Sequence, residues 1–291
     1  MLRPVRVFGA VLVLLAACSD PEPITSASPG PTVAPSPTPA ATATAVTGDP
    51  FGLATRYDLD DPAELAQRLA QAEESIRAGR GDIAEHARMQ QAAYRQLVRT
   101  PEWRAPAIDA LPGELRPVAR ANVEAGAELR ALTEPRTGLP PWKIVAPPPS
   151  DELRGHYAAA EGEFGIDWTY LAAIHLVETR MGRIRGTSTA GAEGPMQFLP
   201  STWARWGRGD IENPRDAILA AGRYLRGHGA PNDIKSALFA YNHSNRYVRA
   251  ITLYAQVMRD EPRAYLSYYN WDVYYRTTKG DALLYIGWPD R

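Results

Sequence analysis

The chain has 291 residues, a formal net charge of −1 and 45% hydrophobic residues. That length holds one or two domains with a sizeable core, and the near-neutral charge argues against a nucleic-acid binder, which normally presents a basic face. One cysteine, Cys18, excludes an internal disulfide, so stability must come from packing.

The first residues read as a targeting segment. Arg3 and Arg6 give a charged start, Val7 to Leu15 is an apolar run too short to span a bilayer, and Ala16-Ala17 supplies small residues for cleavage. Leu15-Ala16-Ala17-Cys18 resembles a bacterial lipobox, which makes Cys18 a lipidation candidate and residues 1–18 a lipoprotein signal peptide; plain secretion with cleavage near Ala17 is the alternative. Few lysines, many arginines and abundant Ala and Pro match the coding bias of a high-GC bacterium. Residues 19–50 are Pro, Ser, Thr and Ala with almost no large apolar side chain. Such a segment cannot offset its ordering entropy and is expected to be a disordered tether.

Residues 58–149 are expected to form a helical accessory region. Asp60 or Asp61 can cap, Pro62 suits the first helical position, and Leu65, Leu69, Ala72 and Ile76 recur at helical spacing up to Gly79. Ile83, Ala87, Gln90, Tyr94 and Leu97 mark a second helix ending at Thr100-Pro101, and Val118 to Leu132 a third. No cluster of His, Cys or paired acids marks a site here, so the region reads as a support packed on the next domain. Thr133 to Pro149 is Pro-rich, with Trp142 and Ile144 as anchors.

Residues 150–260 carry several short helices, the signature of a compact, mainly α fold. Ser150, Leu153 and Tyr157 open one; Asp167 caps the next, with Leu171, Ile174 and Val177 on one side. Pro200 opens a short helix, Asn213-Pro214 a longer one, and Asp233 caps a helix through Tyr241; Tyr247 to Met258 is the last. Residues 261–291 crowd Tyr265, Tyr268, Tyr269, Trp271, Tyr274 and Tyr275, and read as a β-hairpin turning near Gly280, docked on the core in preference to stacking on a sugar.

Glu178 is the candidate catalytic residue. It lies near the C-terminal end of an apolar helix, where Ile174, Val177 and Met181 and the negative end of the helix dipole all disfavour the carboxylate. A glutamic acid held protonated at neutral pH can protonate a glycosidic oxygen. This requires Arg180 and Arg183 to point away. His175, one turn earlier, reads as a packed core histidine. Glu193 and Asp210 are loop acids that could activate water in an ordinary hydrolase. No metal-ligand cluster or nucleotide loop is evident, and no cofactor is expected.

Glu178-Thr179, Gly191-Ala192-Glu193-Gly194-Pro195-Met196-Gln197-Phe198, Ala240-Tyr241-Asn242 and Tyr247-Val248 together resemble the lytic transglycosylases with a lysozyme-like domain, relatives of goose-type lysozyme. The resemblance spans roughly Tyr157 to Met258. It implies a lysozyme-like multi-helix fold, and peptidoglycan as the partner and substrate, cleaved between N-acetylmuramic acid and N-acetylglucosamine with closure to a 1,6-anhydro end. Glu178 would act as acid and then base, while the charge at C1 is met either by the 2-acetamido group or by nearby dipoles. By the same carry-over Gln197 and the Met196 backbone would hold sugar groups, Tyr241 would lie beside Glu178, Asn242 would bond locally or orient Glu178, and Tyr247 would add an aromatic contact. Thr179 stands where the family usually has Ser, and Pro195 where an aliphatic residue is common. A hydrolytic muramidase and a wall-binding scaffold without turnover are the alternatives. The expected place of work is outside the cytoplasm, with the lipid anchor in the cell membrane.

Overall fold

The computed structural model describes residues 48–290 apart from Arg56 and Asp58. The leader, Cys18 and most of the expected tether lie outside the described residues. Among the described residues no helix is long and apolar enough to cross a membrane.

Helices dominate, and most begin at the caps that the sequence supplies. Asp49 and Pro50 open a short helix, α1 (Pro50–Ala54). In α2 (Pro62–Ala78) the Asp61 carboxylate accepts from the backbone N–H groups of Ala63 and Glu64, at 2.7 and 2.9 Å, and Gly79 closes the helix at φ 63°. Asp82 caps α3 (Ile83–Arg99) in the same way. Before the tail, two α-helices escape the sequence reading. One is α1; the other is α4 (Arg104–Ala110), a two-turn piece between Pro101 and Pro112. Its Pro106 falls in the first turn, where a missing N–H costs no helical bond. Next come α5 (Arg116–Ala131), α6 (Ser150–Phe164), α7 (Trp168–Thr179), α8 (Pro200–Trp206), α9 (Pro214–Gly227), α10 (Ile234–Tyr241) and α11 (Asn245–Asp260).

The tail divides differently from the expectation. Tyr265, Tyr268 and Tyr269 lie on a helix, α12 (Ala264–Tyr269), because Tyr265 and Tyr268, three residues apart, bury on one face. The hairpin is confined to two later strands. With β1 (Lys143–Ile144) pairing antiparallel to β2 (Ile184–Arg185), the tail strands are β3 (Val273–Thr277) and β4 (Gly280–Leu284). Thr277 opposes Gly280, so the turn falls where Gly280 suggested.

One hydrophobic core runs from Leu59 to Trp271 and takes side chains from nearly every helix. Helix α11 packs against both α5 and α7, so the N-terminal helices are continuous with the rest of the core. A small second cluster of Trp142, Ile144, Val273, Tyr275 and Leu284 lies under the hairpin, with Trp142 and Ile144 buried as anchors.

Buried polar groups fix how the tail meets α2, α3 and α5. The Gln90 side chain donates to Glu73 Oε1 at 2.9 Å and accepts from Trp271 Nε1 at 3.0 Å and from the Ser267 hydroxyl. Gln91 exchanges two bonds with the Asp272 backbone, and Tyr268 donates to Asn122 Oδ1 at 2.8 Å. Each partner is expensive to orphan in a dry interior. Gln90→Leu is therefore expected to cost about 2–4 kcal/mol of unfolding free energy, read by urea denaturation, because it strands donors on Trp271 and Ser267.

Candidate active site

Glu178 is the penultimate residue of α7 and only 2% exposed. Its Oε1 accepts from the Tyr247 hydroxyl at 2.8 Å, and Oε2 has no hydrogen-bond partner among the described residues. Burial raises its pKa well above the usual carboxylate range; the Tyr247 bond pulls the other way and is outweighed. Arg180 and Arg183 do not point outward as the sequence reading required: Arg183 is buried, and Arg180 lines the same cleft as Glu178. The chain reverses sharply after α7, with Arg180, Met181 and Gly182 at φ 56°, 61° and 81°. Arg180 thereby faces Tyr254, Arg95 and Asp272, and burial lowers its pKa to about 10, so it stays charged at neutral pH.

The Gly194-Pro195-Met196-Gln197 segment is a tight turn. Glu193 and Phe198 exchange backbone bonds at 2.9 and 3.0 Å, and the Gln197 N–H donates to Gly194 O at 3.1 Å. Gly194 sits at φ 72°, where a Cβ would meet the Ile211 carbonyl oxygen at 2.1 Å, so only glycine fits. The two carbonyls at the tip are held from separate helices. Thr179 Oγ1 donates to Pro195 O at 2.6 Å and accepts from the Gly182 N–H at 3.1 Å. Tyr241 donates to Met196 O at 2.6 Å. Three motifs far apart in sequence thus meet because two hydroxyls satisfy one turn.

Tyr247 is the phenol that hydrogen-bonds to Glu178, while Tyr241 lies near enough for the Glu178 charge to help burial raise its pKa; the two rings stack nearly parallel with centroids 6.4 Å apart. The Met196 carbonyl is taken by Tyr241 and its side chain is fully buried. Asn242 is completely buried, but its side-chain amide makes no hydrogen bond to Glu178 or to any other described residue. Gln197, at φ 52°, donates to Gly194 O at 2.9 Å, and its Oε1 has no partner among the described residues. His175 is a core residue: its Nδ1 meets the Tyr157 hydroxyl at 2.7 Å, and burial lowers its pKa to about 3.

Glu178 lines a cleft whose empty space, open solvent included, is about 1230 Å³. The cleft is walled by α3 (Tyr94, Arg95), the end of α5 (Leu129, Arg130) and the tail (Trp271, Tyr274). The region read as a support, and the hairpin read as merely docked, both face the site. Sequence reasoning misses them because it seeks His, Cys and paired acids, whereas these walls offer arginines and aromatic rings; Arg95 and Arg99, one turn apart, are the available signal. Glu193 and Asp210 do not line this cleft. Among the described residues, the carboxylates that do, besides Glu178, are Glu134 and Asp281. Among the described residues no three His, Cys, Asp or Glu side chains gather to hold a metal ion.

A buried acid at a helix end, a clamped turn and an adjoining groove suit proton transfer to a ligand bound in the groove. Residues 156–259 match the family described as Transglycosylase SLT domain. Over 122 residues the chain is 32% identical to "Membrane-bound lytic murein transglycosylase F" of Thiobacillus denitrificans, covering 39% of this chain and 26% of that relative. The Nitrosospira multiformis protein of the same name is 32% identical over 123 residues, 40% of this chain and 26% of its own. The chain thus spans about a quarter of the length of these curated relatives. No solved structure matches.

Two outcomes are expected from this geometry. Thr179→Val leaves the Pro195 carbonyl and the Gly182 N–H unpaired in the interior and should cost about 1–3 kcal/mol, whereas Thr179→Ser should stay close to the parent, both read by chemical denaturation. Glu178 titrates near 4.5 when unfolded and far higher when folded, so the folded chain keeps a proton that the unfolded chain releases. Its contribution to stability is whole below pH 4.5 and is lost as pH rises toward the folded value. Glu178→Gln should accordingly gain stability over the parent as pH is raised from 4.5, in parallel urea titrations; identical pH dependence in the two proteins would contradict a raised pKa.

Proposed function

We propose that the chain is a peptidoglycan lytic transglycosylase, with Glu178 as both acid and base. The observation that carries the reading is a buried carboxyl held by one phenol on the wall of a groove, inside the segment that matches the SLT family. The names of the two relatives support murein as the substrate.

Protonated Glu178 gives its hydrogen to the oxygen bridging N-acetylmuramic acid and N-acetylglucosamine. The C1–O bond breaks, N-acetylglucosamine leaves with a free 4-hydroxyl, and positive charge develops at muramic C1. That charge is met either by the substrate's 2-acetamido oxygen or by dipoles of the cleft. The muramic 6-hydroxyl then closes on C1 and returns its proton to Glu178, giving a 1,6-anhydro end without consuming water. Tyr247 keeps the carboxyl oriented through both transfers. The Gln197 Oε1 and the Asn242 amide, unpartnered among the described residues, are the candidates for hydroxyl and N-acetyl groups of the strand, although they are buried and do not line the Glu178 cleft.

Anhydro closure is favoured over hydrolysis by the placement of the acids. Glu193 and Asp210, the candidates for activating water, lie off the cleft wall, and Asp281 is engaged by arginines, which leaves Glu134 as the cleft carboxylate that a hydrolase would need. The protein would work outside the cytoplasm, tethered through a lipid on Cys18, a reading that rests on the lipobox-like sequence and accords with the membrane-bound relatives.

Glu178→Gln should abolish cleavage of purified cell wall, and mass spectrometry of the parent digest should find anhydro-muramic ends. Reducing ends would establish a hydrolase, and intact glycan that still binds would establish a scaffold. Tyr247→Phe should lower kcat and move the alkaline limb of kcat/KM to higher pH, because the lost bond favoured the ionised carboxyl.

A further inference from the structure

The cleft wall is more cationic than a neutral polysaccharide requires. Arg95, Arg130, Arg136, Arg180 and Arg276 line it, against Glu134 and Asp281 once the buried Glu178 is set aside. The chain as a whole carries a net charge of −1, so this excess is local. Its arginines are also held in place. Asp281, 4% exposed at the side chain, meets Arg95, Arg99 at 3.6 Å and Arg130 at 3.4 Å. Arg95 stacks on the Tyr274 ring at 3.7 Å, and Arg276 donates to the carbonyls of Arg130 and Thr133 at the end of α5. One carboxylate cannot satisfy the guanidinium forks of both Arg95 and Arg130, each with five N–H donors, while Arg99 also bonds to Gln96 Oε1. Burial lowers the Arg95 pKa; Asp281 and Tyr274 oppose that, and Arg99 and Arg130 add to it, so the cluster gains from a further anion.

We propose that Arg95, Arg130 and Arg276 form an anion subsite in the Glu178 cleft that takes a carboxylate of the substrate strand. The inference rests on the reading of the substrate given above. The carboxylate has two possible sources on a muramyl strand: the lactyl group of peptide-free muramic acid, or the peptide attached to it. Rigid, partly buried guanidinium groups bind carboxylate in paired N–H···O bonds, and stacking on a ring pre-organises the fork. The subsite joins α3, α5 and the hairpin, which gives the N-terminal helices a part in substrate choice.

The test uses the full chain carrying Glu178→Gln, so that strands bind without being cut. Four probes are compared by isothermal titration calorimetry: peptide-free and peptide-bearing muramyl strands, each native and with its carboxylates methyl-esterified. The native form should bind about tenfold or more tightly than the ester, the loss expected for a charge-assisted pair. A gap in the peptide-free pair assigns the lactyl carboxylate; a gap only in the peptide-bearing pair assigns the peptide. Adding Arg130→Gln or Arg95→Gln should bring the ratio toward one, and Arg130→Lys should retain part of it. Arg130 is about one-third exposed at its side chain, so its variants test the subsite even if Arg95→Gln does not fold. A ratio near one in the Glu178→Gln protein, or a ratio that neither glutamine substitution changes, overturns the subsite and leaves the arginines as braces for the hairpin. Preferential binding of native strands that the parent enzyme never cuts would sink the catalytic reading and keep the subsite. No binding to any probe overturns both.

Discussion

Everything in this site depends on holding one carboxyl group out of water. The α7 apolar face carries Glu178 into the core, and a single hydroxyl from α11 meets it there. A second hydrogen bond or a paired arginine would stabilise the ionised form and remove the proton needed at neutral pH. Leaving Oε2 without a partner among the described residues is costly, on the order of 1–3 kcal/mol for a buried polar atom, and the surrounding core must supply that stability. The sharp reversal after Thr179 serves the same end. Arg180 and Met181 sit in the left-handed region at a cost of about 1–3 kcal/mol each, and the reversal carries the Arg180 guanidinium toward Tyr254 and Asp272, away from the acid.

Much of this is legible in the sequence because its signals are local. Asp61-Pro62, Asp82, Asp167, Asn213-Pro214 and Asp233 each mark a helix start with a side chain that reaches its own backbone within three residues. The place of Glu178 at the end of an apolar helix follows from spacing alone. The resemblance spanning Tyr157 to Met258 coincides with the SLT match over residues 156–259.

Partnership across distance is not legible in the same way. Nothing in the spacing of Tyr241 and Tyr247 says which phenol reaches the acid; that depends on how α10 and α11 cross the turn at Met196. Nor does it say that Thr179 and Tyr241 divide the carbonyls of Pro195 and Met196 between them. The arginines fail as a signal for a related reason. Arg95, Arg130 and Arg276 come from three segments, and only the tertiary fold makes them neighbours. The tail deceives because six aromatic residues suit helix and strand alike, and Tyr265 to Tyr269 have the three-to-four residue spacing of a helix.

The packing of α11 against both α5 and α7 bears on how this molecule can be cut up. The segment that matches the SLT family shares its core with helices on either side of it. Excised at residues 156 and 259, it would lose α5 from one side of α11 and the Trp271 and Tyr268 rings from Tyr254, baring apolar surface that the intact chain never shows to solvent. Such a fragment would aggregate or open before it could seat a strand. In this architecture the segment that carries Glu178 borrows its structural integrity from sequence outside the family match.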